Sequence, residues 1–191
     1  MSRTDQTFDP LAIVAALERN YVGYVLIGGL AQVLRGADLV TMGVDICPSF
    51  ARDNLDRLAR AVSELDAQAA DGRPVALGEQ SLSDKPVIEL MTSAGELKVI
   101  ASPAGVPNGY VDLRRAASRE DLGQGLRPLV GSTGDLAAMA AALHRASDID
   151  RLPTLRRLIE LQGRRSTVLP PAQPASVSRR RGPQQGPRIT P

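Results

Sequence analysis

Apolar and polar positions follow two periods along this chain, 3.6 and 2, and the switches between them predict its elements. Asp9-Pro10 reads as an N-cap followed by proline at the first helical position. Leu11, Val14 and Leu17 then share one helical face, and Asn20 supplies a stop. Tyr24 to Ile27 is a short apolar run halted by Gly28-Gly29, the pattern of a buried strand entering a tight turn. Leu30 to Leu34 continues as a short helix that Gly36 can close. Val44 to Cys47 predicts a second strand, stopped by Pro48. Leu55, Leu58, Val62 and Leu65 define an amphipathic helix with Asp53 as its candidate cap.

Pro86 to Met91 and Leu97 to Ile100 predict two strands joined through Ser93-Ala94-Gly95 as a hairpin. Tyr110 to Ala116 predicts a short helix and Arg127 to Val130 a further strand. Ser132 with Asp135 forms a capping pair before the alanine-rich helix Leu136 to Arg145. Leu152, Leu155 and Ile159 predict a final helix, with Gly163 as its cap. The sum is a mixed α/β fold: a small mixed sheet near 24–27, 44–47, 87–91 and 97–100, flanked by helices, with a C-terminal helical segment.

Composition narrows the class. A chain of 191 residues that is 43% apolar suits one domain with a buried core. No stretch reaches the roughly 18 apolar residues of a membrane span, and MSRTDQTFDP lacks the apolar run of a signal peptide. The single Cys47 forms no internal disulfide, which fits a reducing cytoplasm, and one Cys with one His excludes a zinc framework. The expected location is therefore cytoplasmic, with no membrane partner.

The formal net charge of +2 hides an asymmetry. Residues 170–191 hold four arginines, six of the 14 prolines and no acid, so the rest of the chain is slightly acidic. Basicity is thus a property of the tail and gives no argument for a nucleic-acid-binding fold. The expected organisation is an N-terminal tail over 1–8, one domain over 9–168, and a disordered Pro/Arg-rich tail over 169–191. Arg179-Arg180-Arg181 either keeps that tail solvated or touches nucleic acid or an acidic partner.

Chemistry enters between Tyr24 and Ser49. The run YVLIGGLAQVLRGADLVTMGVDICPS resembles the first motif of the minimal nucleotidyltransferase fold, in the branch that includes AbiEii-like toxins of type IV toxin–antitoxin systems. Further blocks follow in the family's order: Asp53-Asn54-Leu55, Gly95 to Ile100, Tyr110 to Leu113, Asp135 to Met139 and Asp148 to Pro153. The resemblance covers roughly residues 10 to 160 and implies in-line transfer of a nucleoside monophosphate from an NTP, with Mg²⁺ neutralising charge on the phosphates. It implies an NTP, and RNA or an antitoxin-like protein, as partners. On a strand, residues two apart share a face, so an Asp-x-Asp pair joins a third acid from a neighbouring strand around two cations.

The resemblance carries Gly28, Gly29 and Thr41 over as nucleotide contacts, Asp45 as catalytic and metal-binding carboxylate, and Asp148 as a further catalytic residue. It also marks departures. Gly43 stands where the first carboxylate of the pair is expected, Lys98 where the third acid is, Ala140 where a helix lysine is, and Leu39 where an arginine is. One Asp does not hold two magnesium ions, and a lysine at the third acid's place repels a cation. Losing about 5 kcal/mol of metal stabilisation slows such chemistry by roughly three to four orders of magnitude. Glu96, on the strand face of Lys98, Glu89 on the preceding strand and Asp38 in a loop are the available substitutes.

Each of these residues also has a plainer reading. Gly28-Gly29 is a turn, Thr41 a hydroxyl at a strand entry, Asp148 an N-cap, His144 a surface residue and Cys47 a packing residue. Lys98 either faces solvent or pairs with Asp45, whose carboxylate needs a partner between Val44 and Ile46. Three functions follow: a catalytically impaired nucleotidyltransferase-fold protein kept for nucleotide, RNA or partner binding; a working transferase that modifies tRNA or protein; and an interaction module acting through its arginine tail.

Overall fold

The computed structural model describes residues 8–70, 75, 77–143 and 152–168, with side chains given as far as residue 161. Elements run in the order α1 (Pro10–Arg19), β1 (Tyr24–Ile27), α2 (Gly28–Leu34), β2 (Gly43–Pro48), α3 (Arg52–Glu64), β3 (Gln68–Ala69), α4 (Glu79–Asp84), β4 (Val87–Thr92), β5 (Gly95–Ile100), α5 (Tyr110–Ala116), β6 (Ser118–Arg119), β7 (Leu129–Val130), α6 (Thr133–Leu143) and α7 (Leu152–Val168). The strands form one mixed sheet in the order β3-β4-β5-β2-β1-β7-β6, with β1–β7 and β2–β5 parallel and the other pairs antiparallel. Four of the five predicted strands form its centre, and the fifth, near Arg127 to Val130, is the short β7. No helix among the described residues is long and apolar enough to cross a membrane.

Side-chain alternation separates the two faces. Val44 and Ile46, Leu97 and Val99, and Ile88 and Leu90 point to one side and are buried with the apolar faces of α1 and α3. Gly43 and Asp45, Glu96, Lys98 and Ile100, and Val87 and Glu89 point to the other side and are only partly covered. Helices α2 and α6 pack on that second side near β1 and β2, leaving the β5–β4 half of the face open. β1 is buried throughout, as a central strand covered on both faces must be.

Two polar side chains fix the other half, around β1, β2 and β7. Asn54, buried on α3, accepts from the Gly23 N–H at 2.6 Å and donates to the Gly23 and Ser49 carbonyls at 2.9 and 2.8 Å. It therefore ties the entry of β1 to the exit of β2. Arg35, after α2, donates to the Gly131 and Val130 carbonyls at 2.9 and 2.7 Å and pairs with Glu120, holding α2 against β7.

Several expectations are met locally. Asp9 caps α1 through the Ala12 N–H at 3.0 Å, with Pro10 at the start. Ser132 accepts from the Asp135 N–H at 3.1 Å and donates to its carboxylate at 2.6 Å. Others are corrected. Asp53 is not the cap of α3: Ala51 occupies that position without a side-chain bond, and Asp53 lies in the first turn, where its charge suits the helix dipole. Gly163 does not end α7, which continues to Val168, because one glycine weakens a helix without terminating it. The diglycine does not form a separate turn, since α2 begins at Gly28 itself.

Candidate active site

The open half of the sheet is a cleft of about 290 Å³. Its floor carries Asp45, Lys98 and Glu89, and α2 contributes Gly28, Gly29 and Gln32. Leu136, Met139, Ala140 and Leu143, spaced as one stripe of α6, form an apolar wall. A shallower depression shares Gly29, Asp45 and Lys98 and runs on over Thr41, Gly43 and Glu96.

Strand register sets the floor. Ile27 pairs with Asp45, Asp45 with Lys98, and Lys98 with Glu89, so these residues form one row across β1, β2, β5 and β4. Gly43 pairs with Glu96 in the adjacent row on the same face. Lys98 Nζ lies 3.3 Å from Glu89 Oε1 and 3.3 Å from Glu96 Oε1. The ammonium thus sits among carboxylates from two strands, beside the strand of Asp45. Partial burial works to lower the Lys98 pKa, but the Glu96 and Glu89 carboxylates outweigh it and hold the pKa above its ordinary value.

The glycines are shaped to this row. Gly28 has φ +68°, and a Cβ built there would lie 1.8 Å from Asp45 Oδ2, so the carboxylate rests directly over the bare Cα. A Cβ at Gly29 would lie 2.8 Å from Thr41 Oγ1, and the Thr41 hydroxyl donates to the Gly43 carbonyl at 3.1 Å. A Cβ at Gly43 would lie 3.1 Å from Glu96 Oε2. The Glu96 carboxylate therefore fills the space that a side chain at position 43 would enter.

Gly28, Gly29, Thr41 and Asp45 are brought together. Asp148 and His144 lie outside the described residues, as do 1–7 and 169–191. Asp38 is exposed on the loop after α2 and does not line the cleft. The ion pairs of Lys98 run to Glu89 and Glu96, a pairing that sequence reasoning did not anticipate. Gln32 was also missed; it is 5% exposed, lines the cleft, and its Oε1 has no hydrogen-bond partner among the described residues. Cys47 is fully buried, and burial pushes its thiol pKa up to about 12, so it packs and does not attack.

The donor set of the described residues does not fit a pair of magnesium ions. Hard divalent cations need several carboxylate and water oxygens at once. Here Glu89 and Glu96 already hold the Lys98 ammonium, and Lys98 stands beside Asp45. Among the described residues, no group of three or more His, Cys, Asp and Glu is placed to hold a metal. Ala140, where the resemblance implies a lysine, belongs to the apolar wall and brings no charge to a phosphate.

No family model matches the chain, and no curated protein does. Among solved structures the chain is similar to a Thermotoga maritima protein provisionally described as a nucleotidyltransferase, at 18% identity over 78% of this chain and 89% of that one, with a TM-score of 0.46. A likeness at that level assigns no activity.

Proposed function

We propose that this chain is a nucleotidyltransferase-fold protein that binds a ligand in the cleft without a divalent metal and does not transfer nucleotides. The ordered sequence blocks support the fold reading, as do a helix springing from a diglycine after β1, a carboxylate on the antiparallel β2, and β5 running parallel beside it. One observation carries the loss of transfer: Lys98, at the expected third-acid position, supplies a fixed cation clasped by Glu89 and Glu96. An ammonium balances charge on those strands, but it offers no open coordination sites and does not polarise a phosphate as a metal does.

The resemblance offers an NTP, RNA or an antitoxin-like protein as occupants. Three carboxylates and one ammonium give the cleft and its adjoining depression a formal charge of −2 from the described side chains, which disfavours a bare triphosphate or an RNA backbone. A second reading, a working transferase with a rearranged acid set, draws on the Glu96 carboxylate beside Gly43. The test is incubation with each labelled NTP, Mg²⁺ or Mn²⁺, and total RNA and protein. The expected result is no label on any acceptor. Transfer that Asp45→Ala abolishes would establish the second reading.

A further inference from the structure

We infer that the cleft holds a planar, fused-ring heterocycle that donates a ring N–H to Gln32, a ligand of the indole class. This deepens the metal-free reading given above and rests on it. Lys98 is already held by Glu89 and Glu96, and Asp45 is engaged as well, so the charged groups make their bonds within the protein. What the lining leaves to a ligand is one amide oxygen and an apolar wall. Gln32 is 5% exposed, lines the cleft, and its Oε1 has no hydrogen-bond partner among the described residues. An unpaired buried amide oxygen is costly, and it accepts but does not donate, so the group that relieves it carries a donor hydrogen. The last side-chain torsion of glutamine is broad, which lets the oxygen turn towards the cleft.

The wall sets the body that carries this donor. Leu136, Met139 and Ala140 of α6 are buried and line the cleft. Val87 of β4 and Leu143 of α6 also line it, yet stay 37% and 40% exposed, so the cleft keeps apolar surface that a seated ligand removes from water. The Met139 thioether favours an aromatic neighbour. An apolar cavity of about 150 Å³ holds one benzene ring. The cleft, at about 290 Å³, has room for a fused pair of rings. A ring N–H lies fixed in the plane of its ring, so the wall that seats the ring also aims the donor.

The test uses the full chain with ¹³C-labelled methionine methyls. Met139 lines the cleft, whereas Met91 lies on the exposed side of β4 beyond it and serves as the reference. Indole and benzofuran are titrated in turn; they share a shape, but benzofuran has an oxygen where indole has the N–H. Indole is expected to shift Met139 saturably and leave Met91 still, and benzofuran to bind at least threefold more weakly. Gln32→Leu should bring the two probes within twofold of each other. Leu143→Ser, at the exposed end of the wall, should weaken both by a similar factor and keep the gap between them. No saturable shift of Met139 with indole, benzofuran binding as tightly as indole to the wild type, or a gap that survives in Gln32→Leu would overturn the inference. The wild-type comparison decides the matter even where a variant fails to fold. The parallel transfer assay separates the two levels: absence of transfer together with failure of the indole comparison removes this inference alone, whereas nucleotide transfer removes the metal-free reading beneath it.

Discussion

Gly28→Ala probes the joint between the diglycine and the carboxylate row. Two costs can be worked from the geometry. The first is backbone strain: Gly28 has φ +68°, and an alanine in that region costs about 1–2 kcal/mol. The second is collision: the new methyl would lie 1.8 Å from Asp45 Oδ2, 2.6 Å from its Cγ and 2.8 Å from its Cβ. Ordinary contact begins near 3.4 Å, so Asp45 must leave its place over the helix start, and an off-rotamer side chain costs roughly 0.5–1.5 kcal/mol. The expected loss is about 2–3 kcal/mol in urea unfolding, with an unchanged m-value. Asp45→Ala in the same background removes the two closest contacts, so the double variant should be more stable than the sum of the single effects predicts, by about 1 kcal/mol. A Gly28→Ala protein within about 0.5 kcal/mol of wild type, or strict additivity with Asp45→Ala, would refute the placement of the carboxylate on Gly28.

Two further outcomes follow from buried groups. Asn54→Ala strips partners from the Gly23 N–H and from the Gly23 and Ser49 carbonyls, and should cost about 2–4 kcal/mol in urea unfolding; a loss below about 0.5 kcal/mol would contradict its role as the β1–β2 tie. Cys47 has a folded pKa pushed up to about 12, so the unfolded thiol ionises first as pH rises. Its contribution is complete below the unfolded value, about 8.5–9, and is lost above it, at up to about 1.4 kcal/mol per pH unit. Between pH 8 and 10 the wild type should lose about 1.5 kcal/mol from this source, and Cys47→Ala should flatten that part of the slope whatever its stability at pH 8. An equal slope in both proteins would contradict the assignment.

The central strands were legible because each is an apolar run bounded by Gly, Pro or a turn. β3 and β6 were not: Gln68-Ala69 and Ser118-Arg119 are two-residue strands, too short to show a period and held by their neighbours. The cap of α3 was misread because Asp53 is a good capping residue in isolation, whereas Asn54 is the polar residue that the fold uses. The clue lay in phase, since Asn54 falls on the same helical face as Leu58 and Ala61. The Lys98 pairings divide the same way. Glu96 shares its strand face by alternation, and the two-residue Ser93-Ala94 loop sets Glu89 opposite Lys98. The Asp45–Lys98 register joins parallel strands across a long connection, and Gln32 faces the cleft only through packing of α2 with α6; neither follows from local pattern.

The claim that Lys98 takes the cation's place is tested most directly by manganese binding. Electron paramagnetic resonance would follow free Mn²⁺ during titration into wild type and Lys98→Gln, with circular dichroism confirming that both are folded. Removing the ammonium takes away the cation that Glu89 and Glu96 share. The expected result is no saturable Mn²⁺ site in wild type and more Mn²⁺ retained by Lys98→Gln than by wild type at equal concentration. A saturable site in wild type, or equal retention by the two proteins, would contradict it.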